Sequence, residues 1–151
     1  MALTKDSREF VEYLISNKVE FLIVGALAVS WHGFPRYSGD IDFFVKPSRE
    51  NARRIISALE QFGFGSLGIA VDDLSAENKI IQLGIEPNRI DLITSISGVS
   101  FEEAWQSRVP AEVDGIEVSV IGREALIRNK RAAGRSKDLI DVDELTRKFE
   151  K

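Results

Sequence analysis

Apolar residues at Phe10, Val11, Leu14 and Ile15 recur at the spacing of one helical face, which predicts an amphipathic helix between Thr4 and Asn17. From Phe21 to Val24 the apolar positions are continuous and run into Gly25, the mark of a short buried strand, and Ala26 to Trp31 reads as a brief helix after it. An irregular link through Gly33, Pro35 and Gly39 leads to a second strand, Asp40 to Val45, closed by Lys46-Pro47. Ser48 then caps a helix from Arg49 to Phe62 with Ile55, Ile56 and Leu59 inward. Strands at Lys79 to Ile85 and Arg89 to Thr94 flank Glu86-Pro87-Asn88, where Pro presets one turn dihedral and Asn tolerates the unusual next one, so they should pair antiparallel. Phe101 to Ser107 reads as a short helix, and Val109 to Val113 with Ile116 to Ile121 as a hairpin about Asp114-Gly115. Two closing helices, from Gly122 or Arg123 to Ala133 and from Ser136 to Phe149, are parted by Gly134 and place Leu126, Ile127, Leu139, Val142 and Leu145 inward.

These elements predict an α/β (α+β) class with a mixed β-sheet flanked by helices and closed by C-terminal helices. No repeat, low-complexity tract or long linker interrupts them, so residues 1–151 are expected to form one domain, with a core over about 4–121 and a helical segment over about 122–151. At 44% hydrophobic and 29% charged residues, the chain has the apolar material for its own core. Twenty Lys plus Arg against twenty-four Asp plus Glu leaves a net charge of −4, which excludes a whole-surface basic field for nucleic acid. With no cysteine there is no disulfide scaffold, thiolate zinc site or thiol nucleophile, and one His excludes a His-rich metal site. The longest apolar run, Phe21 to Val29, falls well short of the roughly 20 residues that span a bilayer, and the polar start lacks a secretion pattern. A soluble cytoplasmic protein without a membrane partner is the expectation.

The stretch Arg36-Tyr37-Ser38-Gly39-Asp40-Ile41-Asp42-Phe43-Phe44 carries the strongest chemical signal, because residues two apart on a strand point to the same face. Asp40 and Asp42 therefore converge, and two adjacent carboxylates need a compensating cation. Hard oxygen ligands favour Mg²⁺ or Mn²⁺. A third acid, Asp91, sits between Ile90 and Leu92 on a strand expected to be buried, where an unpaired carboxylate costs several kcal/mol. Either it joins the other two on a neighbouring strand, or it pairs with Arg89 or another nearby base. Gly25, between strand and helix, leaves room for phosphate oxygens to approach backbone N–H groups. Between Arg123 and Lys137 the chain also carries Arg128, Lys130, Arg131 and Arg135 against the lone Glu124, a concentration suited to a polyanion or simply to a solvated helix face. Lys130 and Lys137 stand about two helical turns apart if Gly134 keeps the register, and Lys137, near a predicted helix start, is the better placed for nucleotide phosphates. Asp138 and Asp141 either orient these cations or cap the last helix.

Other signals are weaker. Gly63-Phe64-Gly65-Ser66-Leu67-Gly68 follows a helix rather than a strand and reads as a helix stop and loop. His32 reads as structural, and Trp31, Phe34 and Tyr37 mainly as packing groups rather than base-stacking ones.

In order along the chain, Gly25-Ala26, then Asp40-Ile41-Asp42-Phe43, then Ile90-Asp91-Leu92 resemble the pattern of the nucleotidyltransferase superfamily related to DNA polymerase β. Gly25-Ala-Leu-Ala, His32-Gly33 and Arg36-x-Ser38-x-Asp40-x-Asp42 are similar to the minimal bacterial and archaeal nucleotidyltransferases that include abortive-infection toxins of toxin–antitoxin systems. Lys130-Arg131-Ala132-Ala133 is similar to their K-x-x-A motif, and Arg135-Ser136-Lys137-Asp138-Leu139-Ile140-Asp141 to their late K-D-x-x-D segment. The resemblance implies a nucleotidyltransferase-like sheet and a metal-dependent transfer of a nucleoside monophosphate from a nucleoside triphosphate such as ATP, with release of pyrophosphate. It implies Asp40, Asp42 and Asp91 as catalytic metal ligands for Mg²⁺ or Mn²⁺, and Gly25, Ala26, Arg36, Ser38, Lys130 and Lys137 at the nucleotide. The acceptor it leaves open, as protein, tRNA or small molecule, and it adds a partner protein of a toxin–antitoxin pair. Ala26 stands where many active members carry Gly or Ser, which keeps a catalytically silent nucleotide or partner binder as the alternative, and a toxin-system component acting on tRNA as a further one.

Overall fold

The computed structural model describes residues 3–35 and 38–149. The chain runs α1 (Lys5–Ser16), β1 (Phe21–Val24), α2 (Gly25–Trp31), β2 (Asp40–Val45), α3 (Arg49–Phe62), a 3₁₀ turn (Gly65–Leu67), α4 (Val71–Ser75), β3 (Ile80–Leu83), β4 (Arg89–Ile93), α5 (Phe101–Gln106), β5 (Val109–Val113), β6 (Ile116–Val120), α6 (Arg123–Ala133) and α7 (Ser136–Phe149).

Local chemistry sets most of these ends. Thr4 Oγ1 accepts from Ser7 N at 3.1 Å to open α1, and Ser48 Oγ accepts from Asn51 N at 3.1 Å to open α3. Gly63 closes α3 at φ 102°, a backbone conformation that a side chain strains. Buried Asn51 reaches back from α3 to the residues flanking β1 and β2: its Oδ1 accepts from Glu20 N at 2.8 Å and its Nδ2 donates to Lys46 O at 3.1 Å.

The strands form one sheet in the order β3-β4-β2-β1-β6-β5. β1 is antiparallel to β2 and parallel to β6, while β2 is parallel to β4, so the sheet is mixed. The β3–β4 and β5–β6 pairs are antiparallel hairpins. Helices α1 and α3 cover the face to which Phe43 points, where Phe10 packs edge-on at 5.7 Å. On the other face Phe101 of α5 packs on Phe44 at 5.1 Å. Asp40 and Asp42 share that second face with Phe44 because they stand at even spacing along β2. Leu126, Ile127, Val142 and Leu145 bring α6 and α7 into the same core.

The structure departs from the sequence reading in four places. Residues 65–67, read as part of a loop, form the 3₁₀ turn, and residues 71–75, for which the sequence reading gives no element, form α4, whose start is held by Ala70 N donating to Asp73 Oδ2 at 2.8 Å. The β3–β4 turn takes its positive φ at Gly84 (74°), and Asn88 instead closes the turn by donating from its N–H to Ile85 O at 2.8 Å. Ile15 and Leu139 are 42% and 47% exposed, each one position past the buried stripe of its helix. Strands β3 and β4 and helix α5 also stop short of the predicted ends at Ile85, Thr94 and Ser107.

Candidate active site

Parallel pairing of β2 with β4 places Asp42 opposite Asp91 and Asp40 opposite Arg89. One carboxylate oxygen from each of Asp40, Asp42 and Asp91 lies within 4.8 Å of the others. Asp91 is buried, and the other two are half-buried at the floor of a cleft. Three acids so close repel one another, and burial adds to the cost of their charge. Burial, the charges of Asp40 and Asp91 and a side-chain hydrogen bond with Asp91 push Asp42 up to about 7, against the lowering pull of Arg89.

Arg89 is the counter-charge that the fold supplies. Its Nη2 donates to Asp40 Oδ2 at 2.8 Å and to Asp91 Oδ2 at 3.0 Å, and its Nε to Asp91 Oδ1 at 3.1 Å. The hydrogen bond to Asp91 holds the guanidinium pKa above its usual value. Both readings of Asp91 therefore apply together: it joins the other two acids, and it pairs with Arg89. One guanidinium against three carboxylates leaves the cluster short of positive charge.

Gly25 opens α2 at φ 69°, and a Cβ there would collide with Asp42 Oδ2. The missing side chain thus makes room for Asp42 itself, in addition to any phosphate. Ser38 Oγ lies 2.6 Å from Asp40 Oδ1, where it orients that carboxylate. Ala26 lines the cleft beside Gly25. Arg36 and Tyr37 lie outside the described residues.

The opposite wall comes from the α6–α7 junction, where Gly134 at φ 68° ends α6 and turns the chain back. Lys130, buried, extends its Nζ to Asp138 Oδ1 and Asp141 Oδ2, each at 3.2 Å. Asp138 also accepts from Arg135, at 2.7 Å from Nε and 3.3 Å from the backbone N–H, so it both orients cations and caps α7. Burial pushes the Asp138 carboxyl up, but the hydrogen bonds from Arg135 and Lys130 outweigh it and hold the group below its usual range. Lys137 is exposed at the cleft rim. In the basic stretch, Arg123 pairs with Glu124 and Arg128 with Glu103, so most of its cations meet acids of this chain. His32 is structural in its contacts: its Nε2 lies 2.7 Å from Ile121 O. Trp31 stands edge-on to His32, and Phe34 packs against the core.

All of these elements meet in a cleft of about 820 Å³ lined by Gly25, Ala26, Ser38, Asp40, Asp42, Asp91, Lys130 and Lys137. That volume exceeds what Arg89 occupies at its floor. Gln82 and Asn129, which sequence reasoning did not single out, also line it, as does Arg135, read there only as one cation of the basic stretch. For Arg135 a sharper signal existed, an acid three residues on, just past the glycine that ends α6. Gln82 and Asn129 carry no sequence signal. Among the described residues, no helix is long and apolar enough to cross a membrane.

Comparison with solved structures finds the same fold. ANT(2'')-Ia, solved in complex with adenylyl-2''-tobramycin, superposes with a TM-score of 0.60 at 14% identity, over 95% of this chain and 87% of that one. The lincosamide antibiotic adenylyltransferase LnuA, lincomycin-bound, gives 0.59 at 16% identity over 96% and 97% of the two chains. A protein of Thermotoga maritima described as a nucleotidyltransferase gives 0.59 at 15% identity over 97% of each. A search of curated protein sequences finds no match. Over residues 16–150, which include every acid and cation of the cleft described above, the chain matches the AbiEii nucleotidyl transferase toxin family, and it belongs to that family of nucleotidyltransferases from type IV toxin–antitoxin systems.

Proposed function

We propose that this chain transfers a nucleoside monophosphate from a nucleoside triphosphate to an acceptor and releases pyrophosphate, using Asp40, Asp42 and Asp91 to hold Mg²⁺. The observation that carries the proposal is the convergence of three carboxylates from β2 and β4 on one point. Their donor set fits the ion: all ligands are hard oxygens, and one guanidinium leaves the cluster under-neutralised. When bound, the metal neutralises phosphate charge and lowers the pKa of the acceptor hydroxyl.

The chain's own groups do the rest. Ser38 holds Asp40 in place, and the absence of a side chain at Gly25 lets Asp42 approach the turn into α2. Asp91, aimed by the fork of Arg89, completes the metal site or takes the acceptor proton. Lys137 at the rim, with the backbone N–H groups of Gly25 and Ala26, steadies the donor's phosphates, and Arg36 adds a further cation. Lys130 serves the same end from behind by fixing the wall formed by α6 and α7. An antitoxin protein is the partner that the family implies.

The test is incubation with each labelled triphosphate and Mg²⁺ in cell lysate, following pyrophosphate release and the macromolecule that becomes labelled. Asp42→Asn is expected to lower transfer by about a thousandfold or more while circular dichroism stays unchanged. Undiminished transfer by Asp42→Asn overturns the assignment.

A further inference from the structure

We infer that Arg135 grips the pyrophosphate end of the donor nucleotide and that Asp138 is the positioning residue that aims it, an inference that rests on the nucleotidyl-transfer reading of the cleft. The guanidinium is held along one edge only, with Nε donating to Asp138 Oδ2 at 2.7 Å and Nη2 to Asp138 Oδ1 at 3.2 Å. Its outer nitrogen, Nη1, makes no hydrogen bond among the described residues. The side chain is 62% exposed and lines the same cleft as Gly25 and Asp42.

Asp138 is fully buried and immobilised by Lys130 Nζ, Arg135 N and the Arg135 fork together. A carboxylate that needed only neutralisation would be served by any buried cation. Here a guanidinium is instead kept in the open cleft with a free edge, the geometry that suits a second multi-oxygen anion. The attraction of Asp42 is among the causes that raise the Arg135 pKa, after the hydrogen bond to Asp138, which places Arg135 within electrostatic reach of the acids.

Three carboxylates on the floor repel the outer phosphates, so these must find positive charge elsewhere in the cleft. Lys130 Nζ is committed to Asp138 and Asp141, and Lys137 has no ion pair among the described residues to fix its direction. Arg135 alone among these cations is both fixed and open. In the reaction the acceptor oxygen bonds to the α-phosphorus and the bond to the bridging oxygen breaks. The electron pair leaves on pyrophosphate, and the acceptor proton goes to a cleft carboxylate. Negative charge thus grows on the leaving group, and a donor oriented beforehand stabilises it without reorganising.

Calorimetric titration of the full chain with pyrophosphate in Mg²⁺, and separately with Mn²⁺ alone, tests this. Arg135→Gln, at an exposed position, is expected to fold normally and to weaken pyrophosphate binding about 30-fold while Mn²⁺ binding stays unchanged. Asp138→Asn is expected to weaken it about tenfold without touching the ligand, and Arg135→Lys is expected not to restore it, because a point-like ammonium cannot serve both partners. Pyrophosphate binding that is unchanged in Arg135→Gln, or lost together with Mn²⁺ binding, overturns the inference alone. A wild-type chain that binds neither pyrophosphate nor any triphosphate overturns it together with the proposed transfer.

Discussion

The cleft joins two charge clusters made from the same residue types and held in opposite ways. On its floor Asp40, Asp42 and Asp91 share the single guanidinium of Arg89, and burial with mutual repulsion pushes Asp42 up to about 7. On its wall Asp138 and Asp141 meet Lys130 and Arg135, and there the upward push of burial on Asp138 is outweighed, so its carboxyl sits low. The first cluster is under-neutralised and open; the second is balanced and largely closed. A buried carboxylate needs a counter-charge in either place. Where the chain supplies it in full, the carboxylate serves as scaffold, and where the chain withholds part of it, a ligand is invited to complete it.

The sharpest way to break this contrast is to remove one acid from each side. Asp138→Ala leaves Lys130 buried beside one remaining partner and is expected to cost about 3–5 kcal/mol in denaturant unfolding. Asp42→Asn in metal-free buffer at about pH 8 is expected to raise the unfolding midpoint, since it relieves repulsion. A loss of similar size in both variants would erase the distinction.

A smaller effect separates the clusters by pH. Between its ordinary value of 3.8 and about 7, Asp42 binds a proton in the folded chain that it lacks in the unfolded one, so its contribution to metal-free stability falls as pH rises through that window. Asp138 has the opposite sign: its contribution is present above the ordinary carboxyl range and is lost as pH falls through its lowered value. Thermal melts across pH are expected to lose the first slope in Asp42→Asn, and Mg²⁺ is expected to raise the wild-type midpoint more at about pH 8 than at about pH 6. The smallest effect belongs to an exposed pair of the same chemistry. Arg128→Ala, which removes the partner of Glu103, is expected to leave the melting midpoint unchanged.

Much of the frame is legible from local signals. Ser48 and Gly63 bound α3, Asp114-Gly115 sets the β5–β6 hairpin, and the alternation around Asp40 and Asp42 marks β2, because each depends on residues close in sequence. The meeting of Asp91 with Asp42 is half legible. The cost of burying a lone acid says that a partner exists, but the parallel register that supplies it is set by packing across the whole sheet. Helix α4 is too short for its five residues to show a periodicity. Asp138 and Asp141 are legible as groups that orient the nearby cations, but the fold-back that brings them to Lys130 is not. Counting turns to Lys137 assumes a continuous helix, whereas Gly134 folds α7 back so that Lys130 meets Asp138 and Asp141 instead.

The side-by-side pairing of β2 and β4 ties maturation to competence. A shift of one residue would turn Asp91 inward and set Ile90 or Leu92 in its place. An acid would then be trapped among aliphatic groups while the floor lost a ligand, so any misaligned chain is both unstable and chemically silent. The register that keeps the sheet interior free of a stray charge is thus the same one that assembles the three acids.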